Sequence, residues 1–173
     1  MQKQNKILIS LSALLFFAAL SHPARASADR QAFYGFSPGL EVVSNNGSGT
    51  GFYIQGFGGY AFSPLVATGL HLGYSNVGGV GLKVVDFGGF LELKDDNSGL
   101  FGKVYLDGMN ASASDSTHGV SGSQLAFAPG VGLGMLIPSA GSFHLVPEVN
   151  YRVALFSSSV NVITMSFGLM WDL

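Results

Sequence analysis

Histidines and carboxylates are the groups of this chain that could do chemistry. His71, His118 and His144 could act as bases or metal ligands. A hydrolytic triad, however, needs nucleophile, base and acid within hydrogen-bond reach, and no spacing here supplies that. Strand parity puts His71 and His144 on one face and His118 in a polar connection, so the three are read as filling or hydrogen-bonding groups. Gly130-Val131-Gly132-Leu133-Gly134 is no phosphate loop, because it lies inside an alternating segment with no helix after it; small residues packing under larger neighbours explain it better. Asn46-Gly47-Ser48 and Asn110-Ala111-Ser112 match a glycosylation pattern and are set aside. No catalytic, cofactor or metal site is expected. What remains is a set of carboxylates, and its meaning depends on the elements that carry it.

The last twelve residues, 162–173, show what those elements are. Ile163, Met165, Phe167, Leu169, Trp171 and Leu173 share one face, and Val162, Thr164, Ser166, Gly168, Met170 and Asp172 share the other. A strand alternates in this way because its side chains point to opposite faces with period two. Eight such segments are expected, at 32–43, 52–62, 66–75, 82–93, 100–112, 123–137, 143–156 and 162–173. The apolar faces carry Tyr34, Phe36, Leu40, Leu70, Leu72, Tyr74, Val104 and Leu106. The opposite faces carry Glu41, Gln55, His71, Asp86, Glu92, Lys103, Tyr105, Asp107, Gln124, His144, Glu148, Asn150, Arg152, Thr164 and Asp172. Nearly every mid-strand charge is on the second set, Lys83 near a strand end being the exception. A soluble sandwich would turn the charges to water and keep one apolar core. Here the reverse is expected: apolar faces toward lipid and charges in a lumen.

The amino end and the composition agree. Residues 1–28 have the parts of a secretory signal: Lys3 and Lys6, an apolar run of about 14 residues from Ile7 to Leu20, and competing A-x-A sites at Ala24-Arg25-Ala26 and Ala26-Ser27-Ala28. That run is shorter than the roughly 20 residues a spanning helix needs. Cleavage after residue 26 leaves five basic against ten acidic residues, a formal charge of −5, and no basic patch for nucleic acid. Cysteine is absent, which excludes a disulfide framework. Charged residues make up only 10%, too few for an ordinary water-facing surface. No later run approaches 18 apolar residues, so a membrane protein of this composition must satisfy its backbone in a closed sheet. The expected fold is all-β: after a cleaved signal peptide (1–28), residues 29–173 form one eight-stranded antiparallel up-and-down transmembrane β-barrel.

Such a barrel has an interior just wide enough for side chains to fill. A plugged lumen is therefore expected, with a polar network of Glu41, Asp86, Glu92, Lys103, Asp107, Glu148 and Arg152. Unpaired buried charge is costly, so Lys103 should meet Glu92, and Arg152 should meet Glu41 or Glu148. The competing use of these carboxylates is a narrow cation or proton path. Pro38, Pro129 and Pro147 stand within strands, where each deletes a ladder hydrogen bond and marks a bulge or strand end. Tyr34, Tyr60, Tyr74, Tyr151 and Trp171 face lipid as interfacial girdles.

These residues resemble the eight-stranded outer-membrane barrel superfamily, that is, the OmpA membrane domain and the small OmpX-like proteins. Ser166-x-Gly168-x-x-Trp171-x-Leu173 is similar to the terminal-strand signal of such barrels, with Leu173 where the family usually has Phe. Leu100-Phe101-Gly102-Lys103-Val104-Tyr105 and Pro147-Glu148-Val149-Asn150-Tyr151-Arg152 are similar to their fifth and seventh strands. The resemblance implies an integral, monomeric, non-enzymatic outer-membrane protein that contacts outer-membrane lipids and lipopolysaccharide and is inserted by the barrel assembly machinery. Residues 63–65, 94–99 and 138–142 would be periplasmic turns, and 113–122 the longest outer loop, a place for adhesion. The alternative is a transport role, a narrow channel or hydrophobic-ligand conduit as in OmpW-like barrels. Gly73-Tyr74-Ser75-Asn76 resembles the His-Tyr-Ser-Asn stretch of lipid A deacylases only with Gly73 in place of the histidine, and is rejected.

Overall fold

The computed structural model describes residues 31–45, 47–78, 81–95, 98–115, 120–139 and 143–173. The expected signal segment and His118 lie outside these residues. The described chain forms β1 (Gln31–Asn45), β2 (Gly47–Ser63), β3 (Val66–Val77), β4 (Leu82–Lys94), β5 (Leu100–Asp115), β6 (Val120–Met135), β7 (Ile137–Pro138), β8 (Phe143–Leu155) and β9 (Ser159–Asp172). Neighbours in sequence pair antiparallel from β1 through β6, and β8 pairs with both β9 and β6. Pairing of β1 with β9, from Phe33↔Asp172 to Ser44↔Asn161, closes the sheet. The two-residue β7 pairs with β8 in the register of β6 and continues it past Leu136. The wall is therefore eight strands wide, and closure removes the exposed edges an open sheet would present.

Side-chain parity sorts as the sequence implies. In β9, Ile163, Met165 and Phe167 are exposed, while Val162, Thr164, Gly168 and Met170 are buried. In β3, Leu70, Leu72 and Tyr74 are exposed, and Ala67, His71, Gly73 and Ser75 are buried. Large apolar side chains thus cover the outside, and Glu41, Asp86, Lys103, Asp107 and Arg152 are buried within. Both ends of the described chain are at one rim, where the Leu173 amide donates to the Ala32 carbonyl at 2.8 Å. We call this the terminal rim and the opposite one the distal rim.

Strand length departs from expectation at the distal rim. The polar connections expected at 44–50 and 113–122 are mostly ladder: β1 and β2 stay paired to Asn45↔Gly47, and β5 and β6 to Asp115↔Val120. β9 likewise begins at Ser159. An antiparallel neighbour keeps offering backbone partners after the apolar pattern has stopped. Polar composition there reports water around the strand, not the end of the strand.

The prolines act as strand punctuation. The β1–β9 ladder has no pair at Ser37 and Pro38 but resumes in the same register at Gly39↔Ser166, so there is no bulge. The β6–β8 ladder is short, from Gly130↔Arg152 to Gly134↔Glu148, with Pro129 just past one end and Pro147 just past the other. A residue without an N–H cannot extend such a ladder.

The lumen is not polar throughout. Near the terminal rim Phe33, Phe90, Phe101, Val146 and Met170 form one apolar cluster. Toward the distal rim Val84, Met109, Ala126, Ala128, Ala154 and Val162 form another. The charged groups lie between them.

Candidate functional site

The charged interior is built from inward positions of seven strands and divides into two tiers. In the tier nearer the terminal rim, Lys103 of β5 is the central cation. Its Nζ lies 2.7 Å from Glu148 Oε2 on β8 and 3.4 Å from Glu92 Oε2 on β4. Three rings box it in: Nζ is 4.7 Å from the centroid of Phe101, 4.9 Å from Phe90 and 5.6 Å from Phe57. The ring faces are negative and attract an ammonium, the more so out of water. The Tyr105 hydroxyl donates a short hydrogen bond to Glu148 Oε1, and Lys94 adds a second cation, 3.2 Å from Glu92 Oε1.

Arg152 of β8 organises the second tier. Its Nη1 lies 3.1 Å from Asp86 Oδ1 and 3.2 Å from Asp107 Oδ2, and its Nη2 lies 3.5 Å from Glu41 Oε2 and donates to Thr164 Oγ1 at 3.0 Å. Of the two partners the sequence offered for Arg152, Glu41 is the one in contact; Glu148 belongs to the Lys103 tier. A guanidinium presents several donors in a rigid fork, which suits one cation held among three carboxylates. Ser75 donates to Glu41 Oε1 at 2.6 Å, and the Tyr53 hydroxyl lies 3.0 Å from Gln55 Oε1 and 3.3 Å from Asp86 Oδ1. His71 joins the tiers: its Nε2 is 3.3 Å from Asp86 Oδ1 and 3.4 Å from Asp107 Oδ1, and its ring meets Tyr105 edge-on at 5.5 Å.

Buried carboxylates outnumber buried cations, and hydroxyls from Ser75, Thr164, Tyr53 and Tyr105 take up part of the excess. Tyr53 and Ser75 were not among the expected lumen residues. Their parity, shared with Gln55 and His71, is the signal that identifies them. The aromatic box was missed because an apolar residue was equated with a lipid-facing one. Gln124 has inward parity yet is exposed, since it stands at the distal rim above the buried Ala126. His144 lies at the other rim, its Nε2 2.7 Å from Asp172 Oδ2.

Close packing requires glycine at the wall behind these groups. A Cβ at Gly88 would collide with Asp107, and one at Gly132 with Asn150 and Tyr105. The Gly130–Gly134 run is therefore clearance for Arg152, Asn150 and Phe101.

The arrangement holds charge within a network of ion pairs and hydrogen bonds. Ser75 and Thr164 donate to Glu41, Thr164 also accepts from Arg152, and His144 pairs with Asp172. Among the described residues no group of three or more potential metal ligands is placed to hold an ion. The terminal-strand residues have structural contacts of their own. Gly168 packs under Ser37 and Val146, and Trp171 stacks on Tyr34 at 5.6 Å and meets Phe143 at 5.3 Å.

No family model and no curated protein matches the sequence. Solved structures do match. Neisserial surface protein A aligns over 82% of this chain and 97% of its own, with TM-score 0.72 and 16% identity. Ail, the attachment invasion locus protein of Yersinia pestis, aligns over 83% and 97%, with TM-score 0.58 and 15% identity. The N-terminal β-barrel domain of Pseudomonas aeruginosa OprF aligns over 83% and 100%, with TM-score 0.53 and 13% identity. At such identities the likeness is one of architecture: the chain has the closed eight-stranded antiparallel fold of outer-membrane barrels.

Proposed function

We propose that this chain is an integral outer-membrane protein whose barrel is plugged by its own side chains and which contributes, without catalysis, to envelope structure or surface properties. The observation that carries this reading is sidedness. Leu70, Leu72, Leu133 and Val131 are exposed on the outer wall while Arg152, Glu41, Asp86 and Asp107 are sealed inside. In water that arrangement would leave a large apolar surface bare, which soluble monomers avoid; against acyl chains it is the favourable one. The aromatic cluster around Trp171 at the terminal rim, with Tyr74 and Tyr151 on other outward positions, fits interfacial girdles. With the terminal rim periplasmic, Ser166, Gly168, Trp171 and Leu173 would be offered to the assembly machinery as the last strand, and the barrel would sit as a monomer among lipids and lipopolysaccharide.

The test is fractionation followed by a detergent gel. A closed barrel should appear in the outer membrane and migrate faster unboiled than boiled; a periplasmic protein without that shift refutes the proposal. Planar-bilayer recording separates plug from channel, the channel being favoured by the run of carboxylates from Glu41 to Glu148. The plug predicts no steady conductance. Openings abolished by Asp107→Asn would establish the narrow path instead.

A further inference from the structure

We propose that a recess at the terminal rim binds a free short peptide in its zwitterionic form, with the peptide carboxylate on Lys94, its ammonium on Asp172 and an apolar side chain between them. This goes beyond the structural role proposed above and holds for a plug and for a channel alike.

The recess has a volume of about 570 Å³, within the range of small-ligand sites, roughly 300–1,000 Å³. Part of its lining is apolar. Phe33 and Met170 contribute to it from the cluster that abuts the Lys103 tier, with Ala61 and Leu136 packed against them. The rest carries ionisable groups, among them Lys94, His144 and Asp172. The recess at the distal rim has no charged side chain in its described lining, so the two ends of the lumen differ in chemistry.

Strand order puts the two charges on opposite walls. Lys94 ends β4 and Asp172 ends β9, and three strands, β3, β2 and β1, stand between them on one side of the ring. The two do not pair with each other. Lys94 Nζ lies 3.2 Å from Glu92 Oε1 and 5.7 Å from the centroid of Phe33, and Asp172 Oδ2 lies 2.7 Å from His144 Nε2. Each keeps capacity for a ligand, because an ammonium has three donors and a carboxylate accepts at both oxygens. The Lys94 side chain is 15% exposed and that of Asp172 22%, so both are reachable yet partly desolvated. Charge-assisted hydrogen bonds are stronger in such surroundings.

A lone anion or cation would meet the wrong sign on one wall. A zwitterion satisfies both, and the apolar lining between them favours one that carries a hydrocarbon side chain. Backbone hydrogen bonds fix the mouth beforehand: the Lys94 amide donates to the Leu65 carbonyl at 2.8 Å, and the Leu136 amide to the Gly99 carbonyl at 2.8 Å. A preformed site gives up less on binding. With the terminal rim periplasmic, the ligand would be met in the periplasm.

The test uses the folded protein in phospholipid nanodiscs with leucyl-leucine as the probe, read by the methyl resonance of Met170 and the ring resonances of His144. Saturable shifts are expected at both. Lys94→Gln and Asp172→Asn should each weaken binding about tenfold or more, the effect of losing one charge-assisted hydrogen bond, with heat-modifiable migration unchanged. Two analogues probe the unaltered protein. N-acetyl-leucyl-leucine amide lacks both charges, glycylglycine lacks the hydrocarbon side chains, and both should bind more weakly than leucyl-leucine. No saturable shift up to about 10 mM, equal binding of the uncharged analogue, or an affinity insensitive to both substitutions would overturn the proposal.

Discussion

Arg152 is where a single substitution should be most informative. It is buried against Asp86, Asp107 and Glu41, and nothing else described in that tier carries a fixed positive charge. Removing one partner of a buried ionic cluster strands the others, at a cost of about 3–5 kcal/mol. Arg152→Met should therefore lower the denaturation midpoint sharply in detergent or vesicles. Adding Asp86→Asn and Asp107→Asn should recover most of the loss, since the penalty lies in the stranded carboxylates. Recovery no greater than additive would refute the coupling. Tyr105→Phe is a milder case: it leaves Glu148 Oε1 without its hydroxyl donor and should cost about 1–3 kcal/mol by the same assay. That these charges face inward was legible in the sequence from parity alone. Which acid met which base was less so, because Glu148 is 45 residues from Lys103 and the choice depends on barrel stagger. Tyr53 and the ring box around Lys103 needed the third dimension, since a tyrosine or phenylalanine on a strand is equally at home facing lipid.

At the scale of elements, the seam between β6 and β8 should be the soft part of the wall. Five residue pairs join these strands, against sixteen between β5 and β6. Amide exchange in the assembled barrel should accordingly be faster at Leu125–Ala128 than at the residues of β5 that pair across from β4, Val104 to Gly108. Equal protection on the two strands would show that the seam is closed by contacts outside the ladder. The sequence displayed the cause without the consequence. Pro129 and Pro147 were visible as ladder breakers, but only the register, which sets Gly130 opposite Arg152 and Gly134 opposite Glu148, reveals that the two prolines bracket one seam. The distal hairpins were misjudged for a related reason. Ser, Gly and Asn read as turn formers, yet between long antiparallel neighbours they continue as strand, so the expected outer loop at 113–122 leaves much less free chain for adhesion than its composition implied.

For the whole molecule the decisive property is which side of the wall is solvated by hydrocarbon, and one substitution tests it without any functional assay. Leu70 lies mid-strand in β3, is 72% exposed and has Gly58 and Gly89 as its ladder partners, so no large neighbour shields it. On a soluble surface, replacing it with arginine would change stability by no more than about 0.5 kcal/mol. On a lipid face near the bilayer midplane the same change should cost about 2–4 kcal/mol, with the penalty fading toward the interfaces. Leu70→Arg should then destabilise the folded barrel in vesicles by that amount. A charge swap at Lys83, which is already outward near the distal end of β4, should be nearly silent. A gradient between the two positions requires a slab of hydrocarbon around the barrel, because no interior contact distinguishes them. If Leu70→Arg and Lys83→Glu are equally tolerated, water wets the outer wall, and the inversion of charge and apolar surface would have to be explained by burial against another protein.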